Sequence, residues 1–278
     1  MPTFATPGPI AATVQVAGAR VRVTATDRTD TVVLVEPIDA ASRSDVKVAG
    51  KTKVEFAGGQ LSVKTTAAGS KNGSVAITID LPAGSSLVAY LAYSSVQADG
   101  SFGECELHMA SGRVELDRID ALHANISAGE VVVGHISGRA DIEGAAPEVR
   151  IGEVEGVVGI SSSGGRAWIG HASAALDLSS ASGGFDIDRA DGSITAKTAS
   201  GAIRIGRMTH GQAKLMNGSG NIEVGISEGA AASVDVDSER GAVHNFVSSQ
   251  GDAGPSDDKV MVHARTRHGD IIIQRAAS

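Results

Sequence analysis

Gly165-Arg166-Ala167-Trp168-Ile169-Gly170, Gly183-Gly184-Phe185-Asp186-Ile187-Asp188 and Gly201-Ala202-Ile203-Arg204-Ile205-Gly206 are versions of one pattern, each starting 18 residues after the one before. Gly112, Gly129, Pro147 and Gly220 extend the series, and the seven starts are spaced 17, 18, 18, 18, 18 and 19 residues apart. Two residues after each start stand Val114, Val131, Val149, Ala167, Phe185, Ile203 and Ile222; four after it stand Leu116, Val133, Ile151, Ile169, Ile187, Ile205 and Val224. A further apolar column at plus seven holds Ile119, Ile136, Val154, Ala172, Ala190 and Met208. A period this regular over residues 94–224 means one supersecondary unit stacked on itself.

Within a unit, apolar and polar residues alternate, as in Arg113-Val114-Glu115-Leu116, which is the signature of a strand with one buried face. Gly134, Gly152, Gly170, Gly206 and Gly225 recur at plus five and mark a corner, read as a turn needing positive φ; Gly138, Gly156 and Gly192 mark a second. Short strands joined by such corners stack in parallel, about 4.8 Å apart, as an all-β, single-stranded β-solenoid. Apolar positions at plus two, four, seven, eleven and thirteen disfavour a hexapeptide helix, whose apolar residues recur every six positions. The outward columns agree with stacking: Arg204 is flanked by Asp186 and Glu223, Arg113 precedes Glu130, and Arg150 sits beside Trp168.

Before residue 94 the period disappears, and segments 14–23, 31–35, 54–63, 75–81 and 87–93 read as strands separated by turn signals such as Gly58-Gly59 and Asn72-Gly73. The expected organisation is an N-terminal β cap (1–93), solenoid repeats (94–247), a mobile loop rich in Ser, Gly, Asp and Pro (248–258), and C-terminal closing strands (259–278).

Composition narrows the function. With 42% apolar residues among 278 the chain can bury a core, and 35 glycines against eight aromatics suit a narrow core with tight turns. A net charge of −8 with interleaved signs offers no basic stripe, which argues against nucleic acid. No apolar run reaches the roughly 18–20 residues of a membrane span. Residues 1–12 lack a basic stretch followed by an apolar run, so no secretory signal is read there and the expected location is cytoplasmic. The single cysteine, Cys105, has no intrachain partner and falls at plus eleven, an inward column, where it reads as a core thiol.

Arg20-Val21-Arg22-Val23-Thr24-Ala25, Asp27-Arg28-Thr29-Asp30-Thr31-Val32-Val33, Leu81-Pro82-Ala83-Gly84-Ser85, Gly103-Glu104-Cys105 and Arg265-Thr266-Arg267-His268-Gly269-Asp270-Ile271 give almost the whole chain a resemblance to the bacterial DUF4097 β-strand-repeat family, often called adhesins. The resemblance implies a β-solenoid-like fold and no catalytic residues. Members commonly carry Gly-Asp at the rung start, which occurs here only at Gly269-Asp270.

Candidate site residues each have an ordinary alternative. The plus-six column brings His135, Glu153 and His171 onto successive rungs, a spacing that could hold a divalent metal; with only three ligands and with Arg118, Arg189 and Arg207 in the same column, a solvated ladder is expected and no metal. Asp141 and Asp177 fall two rungs apart across Gly159, roughly 9–10 Å, at the upper edge for an inverting glycosidase pair. Trp168 stands alone on an outward column and reads either as a contact surface or as a cover for Arg150. Ser161-Ser162-Ser163 and Gly218-Ser219-Gly220 lack the contexts of a nucleophile elbow and a phosphate loop, and no cofactor motif is present. The reading is a non-enzymatic scaffold that binds a protein partner or itself. The alternative is a carbohydrate-binding surface adhesin or polysaccharide-active enzyme, which would need export and a cleft lined with carboxylates or aromatics.

Overall fold

The computed structural model describes residues 2–65, 73–247 and 259–276. It divides into two compact units, Met1–Ser137 and Gly138–Ser278. Asn72 and the loop expected at 248–258 lie outside the described residues.

The first unit contains β1 (Thr3–Ala5), β2 (Ala11–Ala17), β3 (Ala19–Thr26), β4 (Asp30–Pro37), α1 (Arg43–Lys51), β5 (Lys53–Ala57), β6 (Gln60–Lys64), β7 (Val75–Pro82) and the long winding strand β8 (Ser86–Ile136). The segment read as one strand over 14–23 is two, separated by Gly18 at φ 66°. Together β2 and β3 form a solenoid rung. Val14 pairs in parallel with Ala89 on one side and with Val63 on the other, while Val21 pairs with Val96 and with Ile77. The solenoid register therefore reaches back to Ala11, well before residue 94. It was hidden because the neighbouring rung lies 75 residues away in sequence, as in the Arg22–Gln97 hydrogen bond. The expected cap consists of antiparallel strands: β4 runs against β7, β1 against β4 and β5 against β6.

One element was not foreseen. Helix α1 is capped by Ser42, whose hydroxyl accepts from the Asp45 amide, and Asp45 in turn accepts from the amides of Asp39 and Ser74 at 3.1 and 3.0 Å. Two backbone amides and two serine hydroxyls hold that carboxylate, chiefly the Ser74 amide, and lower its pKa. The Ser-x-x-Asp start was the available sequence signal; Val46 and Val48 alternate like strand residues and masked it.

The second unit contains β9 (Ala140–Val154), β10 (Val158–Ala172), β11 (Leu176–Ala190), β12 (Ile194–Ser200), β13 (Ile203–Met208), β14 (Gly211–Ser219), β15 (Ile222–Ile226), β16 (Ala231–Arg240), β17 (Val243–Asn245), β18 (Lys259–His268) and β19 (Ile271–Arg275). Its ladders are parallel and hold the sequence register: Ala167 pairs with Val149 and Phe185, Phe185 with Ile203, and Ile203 with Ile222. All these side chains are buried, so the periodic apolar columns are the core. Arg204 bonds Asp186 at 2.7 Å, and in the first unit Arg113 bonds Glu130.

Two expectations need correction. Gly134, Gly170, Gly206 and Gly225 at plus five do not adopt positive φ, which belongs instead to the start column, Gly112, Gly129, Gly165, Gly201 and Gly220. At plus five the reason for glycine is space: a Cβ at Gly206 would sit 2.8 Å from the Asp188 carbonyl oxygen of the preceding rung. The strands at 260–262 and 271–273, expected to close the stack, lie one rung inside it. β18 pairs with both β14 and β16, and β19 with both β15 and β17, so among the described residues β16 and β17 form the outermost rung of the second unit.

Cys105 is fully buried, and that burial pushes its thiol pKa up to about 12. A thiol reagent is therefore expected to label the native protein negligibly and the urea-unfolded chain at once. Rapid native labelling would show that this part of β8 is not a closed rung.

Candidate functional site

Four surface features of the second unit offer polar, aromatic or exposed apolar chemistry. At one corner His171 Nε2 lies 2.8 Å from Asp191 Oδ2, and its Nδ1 lies 3.6 Å from Glu153. Asp191 is the hub. It also accepts from Arg189 at 2.8 Å and from the Thr209 hydroxyl at 2.6 Å, and is only 19% exposed. Burial opposes its ionisation, but the hydrogen bonds from Arg189, Thr209 and His171 outweigh it and lower the pKa to about 2.

His135 belongs to the first unit and Glu153 and His171 to the second. Among the described residues no group of three or more His, Cys, Asp or Glu is placed to hold a metal ion. Within the second unit Glu153, His171, Asp191 and Thr209 form a ladder that ties successive rungs together, with Asp191 as the member the sequence did not reveal. Asp191 follows the repeat at plus eight, beside the column inspected, and only the fold turns it onto His171.

Loss of the hub has a pH signature. Because Asp191 is more acidic folded than its ordinary 3.8, it stabilises the fold above that value and the contribution disappears as pH falls towards about 2. Asp191→Asn is expected to cost on the order of 2 kcal/mol at pH 7. The difference in urea midpoint between variant and parent should shrink between pH 4 and pH 2; a constant difference would show that the carboxylate charge is not what matters.

Asp141 and Asp177 both pair with Gly159 in the ladders on either side of it, which puts them two rungs apart. Arg139 grips Asp141 through two hydrogen bonds, of 2.6 and 2.9 Å, and the Asp141 Oδ1 atom lies 3.1 Å from where a Gly159 Cβ would stand. The carboxylate thus leans into the space that a bridging substrate would need.

Trp168 is half-buried between Arg150 and Asp186 in register, with the far end of its indole against Gly170. It lines an open groove of about 930 Å³ together with Arg166, Ser182, Gly184, Ala202 and Arg204.

The fourth feature is the outermost rung. Val234 and Val236 are only half-buried, although their ladder partners Val262 and Ala264 are fully buried; Val243 is 43% and Phe246 70% exposed. The outward side of β16 carries Asp235, Asp237 and Glu239, of which Asp235 is held by Arg265 at 2.7 Å and His263 at 2.9 Å.

The architecture is similar to a candidate adhesin from Parabacteroides distasonis ATCC 8503, with 12% identity over 98% of this chain and 95% of that chain and a TM-score of 0.38. A candidate adhesin from Parabacteroides merdae ATCC 43184 matches with 8% identity over 99% and 95% of the two chains and a TM-score of 0.39. A candidate lipid-binding protein from Parabacteroides distasonis ATCC 8503 matches with 11% identity over 99% and 96% and a TM-score of 0.34. No curated protein matches the sequence. No helix among the described residues is long and apolar enough to cross a membrane. Residues 13–274 match the sequence pattern of Toastrack DUF4097, and with a β-solenoid stack in each unit the chain belongs to that family.

Proposed function

We propose that this chain is a non-catalytic interaction protein that binds a protein partner by adding a strand to its outermost rung, β16 and β17. One observation carries the reading: the core columns end there half-exposed, at Val234 and Val236, instead of buried. A rung edge also offers backbone donors and acceptors as a template for an extended segment.

Charge selects the partner. A closed two-fold pairing of two copies through antiparallel β16 strands would set the Asp235, Asp237 and Glu239 column against its own image, and like charges directly opposite destabilise a ladder. The fitting occupant alternates apolar residues, which cover Val234 and Val236, with basic residues that meet the carboxylates. The stack already uses this rule where Asp235 meets His263 and Arg265.

Titration calorimetry with an extended peptide of alternating valine and lysine tests the reading. Saturable binding is expected, weakened at least tenfold in Asp237→Lys/Glu239→Lys, with far weaker binding of a valine–glutamate peptide. Equal binding of both peptides, no binding of either, or a stable dimer in sedimentation that excludes the peptide would overturn it.

A further inference from the structure

We propose that the groove beside Trp168 binds a sugar-acid residue of an anionic glycan. The site lies on the flat face of the second unit, away from β16 and β17, and stands independently of strand addition.

In a stack of parallel rungs the outward columns are normally tiled by side chains. Here the plus-one column reads Glu148, Arg166, Gly184, Ala202 in consecutive rungs, so the tiling stops after Arg166 and a trough opens over backbone. Its volume, about 930 Å³, is at the upper end of the roughly 300–1,000 Å³ typical of ligand pockets, enough for more than one sugar ring. Its walls are chemically mixed. Trp168 supplies a half-buried aromatic surface, Ser182 and Ser200 supply hydroxyls, and Arg166 projects an exposed guanidinium.

The rim charges identify the ligand class. Arg150, Arg166 and Arg204 oppose Glu148 and Asp186, so the rim carries one net positive charge on a chain whose net charge is −8. Arg204 is already bound to Asp186 at 2.7 Å, whereas Arg166 makes no ion pair or hydrogen bond with any described residue. A phosphate or polyphosphate would concentrate two or more negative charges at the one open cation, close to Glu148 and Asp186. A hexuronate brings one charge per ring. Its carboxylate matches the guanidinium fork of Arg166, its ring carries an apolar face of C–H groups suited to the indole, and its hydroxyls match the serines and the open backbone.

Trp168 is the single tryptophan of the chain, so its fluorescence reports on this groove alone. Titration with the linear trimer of galacturonate is expected to change the emission saturably. Arg166→Ala should weaken the effect at least tenfold. Ala202→Leu, which fills the trough from an exposed position without altering any charge, should abolish it while the melting midpoint stays put. Maltotriose, a neutral trimer, should bind at least tenfold more weakly, and acetate at equal carboxylate concentration should leave the emission unchanged. An unchanged emission with trigalacturonate, an equal response to maltotriose, a response to acetate, or full binding by the folded Ala202→Leu variant would each overturn the proposal.

Discussion

Ile203→Asp is expected to unfold the second unit or bring it to the edge of unfolding, whereas Arg204→Asp, one residue along, leaves it folded. Ile203 is fully buried and stacked in register between Phe185 and Ile222. A carboxylate there loses the burial of a large aliphatic side chain and places a charge in an apolar column with no cation to meet it. The cost is on the order of 4–5 kcal/mol, a large part of the roughly 5–15 kcal/mol that holds a domain together. Arg204 points the other way, and its bonds to Asp186 and Asp188 lie in solvent at 2.7 and 3.5 Å. Reversing its charge puts three acids in one outward column, Asp186, residue 204 and Glu223, a penalty of about 1 kcal/mol in water and salt. Urea denaturation followed by far-ultraviolet circular dichroism separates the two. Equal midpoints would refute the inward and outward assignment.

Gly165→Ala should destabilise by several kcal/mol, and Gly59→Ala by about 1 kcal/mol. Both glycines adopt positive φ, 90° and 77°, so the conformational penalty for a Cβ is similar. They differ in what the Cβ would meet. Gly59, in the turn between β5 and β6, has nothing within 4 Å, while a methyl at Gly165 would overlap the carbonyl of Pro147 on the next rung. Backbone cannot swing aside as a side-chain tip can, so relief requires the rungs to part and their hydrogen bonds to lengthen. The excess cost at Gly165 measures how tightly neighbouring rungs are pressed together at the start column. Equal losses would mean that φ alone, and not close approach, selects glycine there.

Most of the solenoid was legible in the sequence because its neighbours in space are neighbours in the repeat. Ala167, Phe185 and Ile203 align at a constant 18 residues, and alternation within each unit says which side is buried. That logic fails where a rung's partner is distant in the chain. Val21 pairs with Val96 and Ala213 with Val262, pairings that no local period announces. The glycines at plus five were read as a positive-φ turn, because sequence does not distinguish a crowded backbone from a left-handed one. For the candidate sites, the column logic placed Glu153 beside His171 and Arg150 beside Trp168. It did not foresee Asp191, which joins the column by turning at the corner, nor the groove, which is defined by the side chains missing at Gly184 and Ala202.

The swapped order of the outer rungs bears on how the polypeptide is made. During synthesis β16 and β17 emerge before β18 and β19, yet they can be seated only on those later strands. The rung of β16 and β17 must therefore wait, unpaired, until residues 259–275 leave the ribosome and slide into the gap against β14 and β15. In the first unit the rung of β2 and β3 has one side to β6 and β7 and the other to the start of β8, so it too stays incomplete until residues 60–100 have been translated. Within neither unit can construction proceed rung by rung in the order of the sequence. A ribosome stalled before residue 259 would hold a nascent chain with its Val234 and Val236 column still open, a form expected to engage chaperones and to be cut readily by proteases.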